Sequence, residues 1–129
     1  MEQKIIQLSA CALGIILLFS CENDTGPLIL DSNQGPVSYG LQIQPIFDAK
    51  CIGCHDEIHE QLDLRACCSY EELWSLGTGA PYLDTGVPSQ SKLYRHLTGD
   101  LLVMPPFGAL PNNEIDLVLQ WITEGGLDN

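Results

Sequence analysis

The sequence predicts an all-α domain built from short helices joined by long loops. Apolar residues recur at helical spacing in several segments, and helix start and stop residues bracket those segments. No run of residues alternates between apolar and polar as a half-buried strand does. The chain has 129 residues, and because residues 1–40 differ in composition from the rest, we expect one folded domain over residues 41–129.

The first predicted helix begins near Gln44 and leads straight into a cysteine-rich segment. Ile43, Ile46 and Phe47 stand at i, i+3 and i+4, so they share one apolar face. Pro45 must lie in the first turn, because proline lacks the backbone donor that an interior helical position needs.

Two short helices are expected in the middle of the domain. One begins at Ser69, which together with Glu72 has the spacing of a capping box. The other covers residues 90–97 and turns Leu93 and Leu97 inward.

The last segment carries the strongest helical pattern. Asn112 can cap its start, and Gly125 is expected to end it. The predicted apolar stripe consists of Ile115, Val118, Leu119 and Ile122. Long loops between such short helices are unusual in a small domain. A central flat group on which the loops pack would account for them.

The charge balance excludes some partners. The chain has 17 Asp and Glu residues against 5 Lys and Arg, a formal net charge of -12. An acidic surface repels phosphate backbones, so we expect no nucleic-acid partner. Electrostatic steering would favour a protein partner with a basic patch, and a role in solubility alone is the alternative.

The N-terminal segment, residues 1–21, is expected to be a processing signal. Lys4 precedes a mostly apolar run, which is short of the roughly 20 apolar residues that span a bilayer. Leu18, Ser20 and Cys21 end the run in a pattern that resembles a bacterial lipoprotein signal. The resemblance implies cleavage before Cys21 and its lipidation; an uncleaved anchor helix and a plain secreted form are the alternatives.

These observations divide the chain into three parts. We expect residues 1–20 to be a signal peptide, residues 21–40 a lipid-attached flexible linker and residues 41–129 the folded domain. The protein is then exported and membrane-anchored through its lipid, facing the periplasm or the cell surface.

The cysteine-rich segment reads CIGCHDEIH from residue 51. Cys51, Cys54 and His55 have the Cys-x-x-Cys-His spacing of a covalent haem attachment site, in which the sulfurs bond to the porphyrin edge and the histidine to iron. A dithiol redox site and a zinc site are the rivals, although no second Cys-x-x-Cys pair is present. Further zinc ligands could come from Cys67, Cys68 and His59.

The second axial ligand of the iron has three candidates, His59, His96 and Met104. A helical His59 lies on the same side as His55 and cannot reach the opposite haem face. Two prolines follow Met104 and stiffen its loop, which favours the thioether as the ligand. We expect His96 to be partly solvated, and a Met that merely fills an apolar gap or an open iron site remains an alternative.

Cys67 and Cys68 are adjacent in the sequence. Neighbouring Cα atoms are about 3.8 Å apart, less than the roughly 4.4–6.8 Å of ordinary disulfides, so a bridge between them would be strained. The two residues are expected to be small buried side chains, with a reducible disulfide as the alternative.

Taken in order, these motifs resemble the class I cytochrome c family, in particular its planctomycete-type domain found in bacterial lipoproteins. The resemblance implies one covalent haem c, a helical bundle around it, and His55 and Met104 as axial ligands. It further implies that Phe47 and Trp121 pack beside the haem and that a proline carbonyl orients the proximal histidine. The motifs that carry it are Ile43, Pro45, Ile46, Phe47, CIGCH, LDL at residues 62–64, Ser91, Leu93, MPP from Met104, and WITEGG from Trp121.

The family resemblance implies a one-electron carrier rather than an enzyme. A redox protein is then the expected partner. The alternatives are a haem-based gas or redox sensor and a zinc-stabilised interaction module. The sequence offers Pro81 and Pro88 as candidates for the proline that orients His55.

Overall fold

The helices are short and connected by long loops, as expected. The structure, a computed structural model, describes residues 35–58, 62–75 and 82–129. Its α-helices are α1, Gln44–Lys50; α2, Ser69–Trp74; α3, Lys92–Thr98; and α4, Asn112–Thr123. A π-helical turn, Tyr39–Ile43, runs into α1, and a 3₁₀ turn, Pro88–Gln90, precedes α3. These described residues form no strand, which confirms the all-α class for them.

Helices α1 and α3 agree with their predictions. Helix α1 has Pro45 in its first turn and ends directly before Cys51. Helix α3 begins two residues later than expected, after the 3₁₀ turn, and ends at Gly99. Gly99 has φ +85°, a left-handed conformation that glycine adopts without the steric cost of a Cβ.

The capping box predicted at the start of α2 is wrong. Ser69 is the first residue of the helix, and no side chain caps its amides. Its hydroxyl is instead buried, where it accepts a 2.6 Å hydrogen bond from the Tyr39 hydroxyl and donates one of 2.6 Å to Gln44 Oε1. A buried hydroxyl must find partners, and here the partners lie in other elements.

In the core, α4 packs against α3 and against the π-helical turn that precedes α1. Val118 and Ile122 are buried as predicted, but the inward face is completed by Leu117 and Trp121, whereas the rest of the predicted stripe is half-buried. Asn112 does not cap the helix through its side chain.

Two residues before the expected domain start are buried in the same core. Val37 and Tyr39 are each 4% exposed, whereas Leu41 is 82% exposed. The Tyr39 ring packs near three other aromatic rings, with centroid distances of 5.0 Å to Trp121, 5.2 Å to Tyr70 and 6.4 Å to Phe47. The packed part of the chain therefore includes residues 37–40.

Membrane attachment is expected through residues outside the described ranges. In the ranges given above, no helix has the length and hydropathy that are needed to cross a bilayer. The predicted signal peptide, Cys21 and most of the predicted linker lie outside them.

Candidate cofactor site

A largely apolar cavity of about 660 Å³ opens beside the end of α1. This volume lies within the roughly 300–1,000 Å³ of small-molecule and cofactor sites. Cys51, Cys54, His55 and Met104 all contribute to its wall, although Met104 is distant in sequence from the other three. The remaining lining residues are Phe47, Lys50, Gly53, Ile58, Leu62, Leu64, Tyr82, Leu93, His96, Leu97, Leu102, Pro105, Pro106, Phe107 and Leu110.

The cysteine motif forms one helical turn directly after α1. The Cys54 amide donates to the Cys51 carbonyl at 3.0 Å, and the His55 amide donates to the same oxygen at 2.9 Å. The three side chains thus stand at i, i+3 and i+4 of a turn, on one side of it. Both cysteines are free thiols, with Cys51 half-buried and Cys54 exposed.

His55 is held by the segment that returns past it. Its Nδ1 lies 3.1 Å from the carbonyl oxygen of Leu62, and its own carbonyl accepts a 3.0 Å hydrogen bond from the Leu64 amide. Because a carbonyl only accepts, Nδ1 carries the proton and Nε2 keeps a lone pair. Histidines that bind a metal through one ring nitrogen typically donate a hydrogen bond from the other nitrogen to a group such as a backbone carbonyl.

The carbonyl that orients His55 therefore belongs to Leu62 rather than to Pro88. Pro88 lies in the 3₁₀ turn before α3, and the other candidate, Pro81, lies outside the described residues. No sequence signal singles out Leu62 for this role, because the acceptor is a backbone group that every residue has.

The Cys51 thiol is in an environment that disfavours ionisation. Burial, and then the nearby negative charge of Glu114, raise its pKa to about 11. Glu114 lies in the first turn of α4, and its Oε2 atom is buried with no hydrogen-bond partner among the described residues. Cys51 is therefore a neutral thiol near pH 7.

Met104 is positioned by the C-terminal half of α3. Its backbone amide donates a 3.0 Å hydrogen bond to the carbonyl of His96. The His96 Nδ1 atom lies 2.6 Å from the carbonyl of Leu102, two residues before Met104. Two hydrogen bonds, one to the backbone carbonyl of His96 and one to its side chain, therefore hold the loop against α3. Met104 is half-buried at the cavity wall.

His96 is half-buried, which agrees with the partial solvation expected for it. It also lines the cavity beside Leu93 and Leu97, a position that the sequence did not predict. Its Nδ1 is engaged by a carbonyl just as that of His55 is, so Nε2 again keeps a lone pair. The inward leucines at i−3 and i+1 could have placed His96 near this face.

A zinc site, the alternative to haem, requires several His, Cys, Asp or Glu side chains close together. Among the described residues, the only group of three His, Cys, Asp or Glu side chains with all ligand atoms within 4.8 Å of one another is Asp63, Cys67 and Cys68. Cys51, Cys54 and His55 do not meet this distance criterion in the structure. His59 lies outside the described residues.

Cys67 and Cys68 form a disulfide. The expectation that both are small buried side chains is wrong, since Cys67 is exposed and Cys68 is half-buried. The bridge lies outside the cavity wall and follows the segment that holds His55.

Several apolar side chains at the cavity are open to solvent. Leu102 is 69%, Ile58 77% and Phe107 94% exposed. Lys50 brings a positive charge to the wall. The cavity thus combines an apolar interior, two free thiols, two imidazoles and a thioether.

No protein-family model, curated protein or solved structure matches this chain. Its function is therefore inferred from the residues of the cavity and the chemistry that they can perform.

Proposed function

We propose that this chain is a c-type cytochrome that transfers one electron through a single covalently attached haem. One observation carries the proposal. The two thiols and the imidazole of the Cys-x-x-Cys-His motif share a largely apolar cavity with the distant thioether of Met104. Two sulfurs for covalent attachment and two axial ligands are the protein groups that a His/Met cytochrome requires.

The donor set fits this cofactor residue by residue. Cys51 and Cys54 are free thiols on one side of a turn, as two thioether bonds along one porphyrin edge require. His55 keeps Nε2 available because Leu62 occupies Nδ1. The bound haem would supply a one-electron couple at its iron.

The other residues of the cavity would hold the ligands and exclude water. The bonds from His96 fix the backbone of the Met104 loop, and Pro105 and Pro106 stiffen it. Phe47 and Leu97 form part of an apolar wall that limits access of water to the site. Because both axial positions would be filled by the protein, this arrangement favours a carrier over an enzyme or a gas sensor.

The surroundings of the cavity favour a protein partner. Electrons leave a buried cofactor at its exposed edge, and here the cavity opening carries the exposed side chains of Leu102 and Phe107. With a net charge of -12, the chain would be steered towards a redox protein with a basic patch. We further propose that lipid on Cys21 tethers the exported protein to a membrane, facing the periplasm or the cell surface.

A pyridine haemochrome spectrum tests the central proposal. The protein is produced in a host that attaches haem c and is then extracted with acidified acetone, which removes non-covalent haem. We expect the c-type spectrum to survive extraction and to be lost in the Cys51→Ala/Cys54→Ala variant. The matched control, Cys67→Ser/Cys68→Ser, should retain it. Absence of covalent haem from the parent protein would overturn the proposal.

The lipid anchor has a separate test. Mass spectrometry of the mature N-terminus should find a diacylglyceryl group on Cys21, and globomycin should cause the unprocessed form to accumulate. A mature protein that still begins at Met1 would contradict cleavage at Cys21.

A further inference from the structure

We propose that the reduced form of the Cys67–Cys68 pair, together with Asp63, binds a thiophilic divalent cation such as zinc. This site is separate from the haem cavity and does not depend on the proposed electron-transfer function. Two thiols and one carboxylate provide its ligands. In the disulfide-bonded structure a carboxylate oxygen of Asp63 lies within 4.8 Å of both sulfurs, which are joined to each other by the S–S bond.

The ligand chemistry favours zinc over hard cations. Thiolates are soft ligands, which select zinc and related metals rather than calcium or magnesium. Ligand atoms around tetrahedral zinc are about 3.5–4 Å apart, since Zn–S is about 2.3 Å and Zn–O about 2.0–2.2 Å. Once the disulfide is open, the two sulfurs would therefore have to separate from bonding distance to this spacing, with the Asp63 carboxylate within 4.8 Å of both. Three protein ligands would leave the fourth position for water.

The backbone around the pair is held in place. The amides of Cys68 and Ser69 both donate 2.9 Å hydrogen bonds to the carbonyl of Arg65. Ser69 is anchored in turn by its buried hydrogen bonds to Tyr39 and Gln44. The turn that carries the two sulfurs is thus attached to the core, which lowers the ordering entropy that a metal ion must overcome.

Access to the metal-binding form requires reduction. Cys67 is exposed, and exposed disulfides are the more readily reduced ones. Two thiols of a small-molecule or thioredoxin-type reductant would break the S–S bond, transfer two electrons and two protons, and themselves become a disulfide. The cation would then form two metal–sulfur bonds and release the two thiol protons.

Arg65 competes with the cation for Asp63. Its Nη2 atom donates to Oδ2 at 2.7 Å, and its Nε atom donates to Oδ1 at 3.0 Å. Arg65 also binds Glu57 at 3.0 Å, so it has a second carboxylate to hold when Asp63 turns towards a metal. Because of this competition, substitutions of Asp63 and of Arg65 should change the zinc affinity in opposite directions.

Zinc binding by the full-length chain tests the proposal. The Cys51→Ser/Cys54→Ser background removes the thiols of the first motif, so the result is independent of haem attachment. After anaerobic reduction and removal of the reductant, zinc is titrated in competition with a chromogenic chelator. We expect the Cys51→Ser/Cys54→Ser protein to bind one more zinc per chain than a fourfold variant that also carries Cys67→Ser and Cys68→Ser. The oxidised protein should lack this additional binding.

Two further variants separate ligation from a structural role. Asp63→Asn should weaken zinc affinity by about tenfold or more, and Arg65→Gln should strengthen it, because the carboxylate is released. Equal zinc binding with and without Cys67 and Cys68 would overturn the proposal. A weakening by both Asp63→Asn and Arg65→Gln would also overturn it, since loss of the local fold would affect both variants alike.

Discussion

The Nδ1 atom of His55 lies 3.1 Å from the carbonyl oxygen of Leu62. The same arrangement recurs between His96 and Leu102, at 2.6 Å. Each carbonyl holds its imidazole in the tautomer that leaves Nε2 with a lone pair. The cavity thus has two imidazoles able to bind a metal, and the role of Met104 must be tested against His96.

Met104→Ala should lower the reduction potential and allow carbon monoxide to bind the ferrous protein. Loss of the thioether would remove the proposed ligand, which raises the potential relative to two-histidine ligation, and it would open a coordination position. Redox titration and the absorption spectrum under carbon monoxide measure both effects.

Val103→Ala is the matched control for this change. Val103 is the neighbouring residue, is 40% exposed and does not line the cavity. Its variant should keep the parent potential. If Met104→Ala left the spectrum and the potential unchanged, Met104 would not be the ligand.

His96→Ala should destabilise the Met104 loop without removing the sulfur. The bond to Leu102 is lost, so we expect partial loss of methionine ligation, measured as a weaker sulfur-to-iron charge-transfer band. Asn at position 96 can place a donor close to the position of Nδ1 but has no Nε2. His96→Asn should therefore restore the band, whereas a histidine ligand would not be rescued by Asn.

The start of α1 could be predicted because Pro45 and the apolar spacing are local signals. The Cys-x-x-Cys-His motif could be recognised for the same reason, because its residues are close together in the sequence. Burial of Tyr39 and the position of His96 at the cavity depend on packing between distant elements, which no short sequence window contains. The role of the Leu62 carbonyl could not be predicted for a different reason. The acceptor is a backbone group, which every residue has.

Ser69→Ala should destabilise the fold by about 1–3 kcal/mol, because it leaves the buried Tyr39 hydroxyl and Gln44 Oε1 without their shared partner. Urea denaturation measures the change. Tyr39→Phe is the control, and it should cost less, at about 0.5–1.5 kcal/mol, since Ser69 still donates to Gln44. In the double variant the two costs should be less than additive, and strict additivity would contradict a shared network.

The ion pair of Asp63 and Arg65 predicts an acid-dependent part of the stability. Hydrogen bonds from the Arg65 side chain and then from its amide lower the pKa of Asp63 below its ordinary value. Because the folded-state pKa lies below that of the unfolded chain, this stabilisation is present above about pH 4 and is lost as the pH falls through the folded-state pKa. Asp63→Asn should therefore lower the urea midpoint near pH 7 and change it less near pH 3. An equal loss at both values would exclude an ionic contribution.

Cys51 should react slowly with iodoacetamide in the haem-free protein. Its pKa is raised to about 11 by burial and by Glu114, so the reactive thiolate is about one part in a thousand near pH 8. The alkylation rate of Cys51, followed by peptide mass spectrometry, should rise about tenfold per pH unit up to about pH 10. An ordinary thiol, with a pKa of about 8.5, would instead level off above about pH 9.

The contribution of Glu114 can be separated from that of burial. Glu114→Gln removes the negative charge next to Cys51 at nearly constant side-chain size, so the Cys51 pKa should fall and alkylation near pH 8 should become faster. Asp116→Asn is the matched control, because Asp116 lies on the same helix with an exposed side chain. It should leave the rate unchanged. A rate that responds equally to both substitutions would reflect net charge rather than the Glu114 carboxylate beside the thiol.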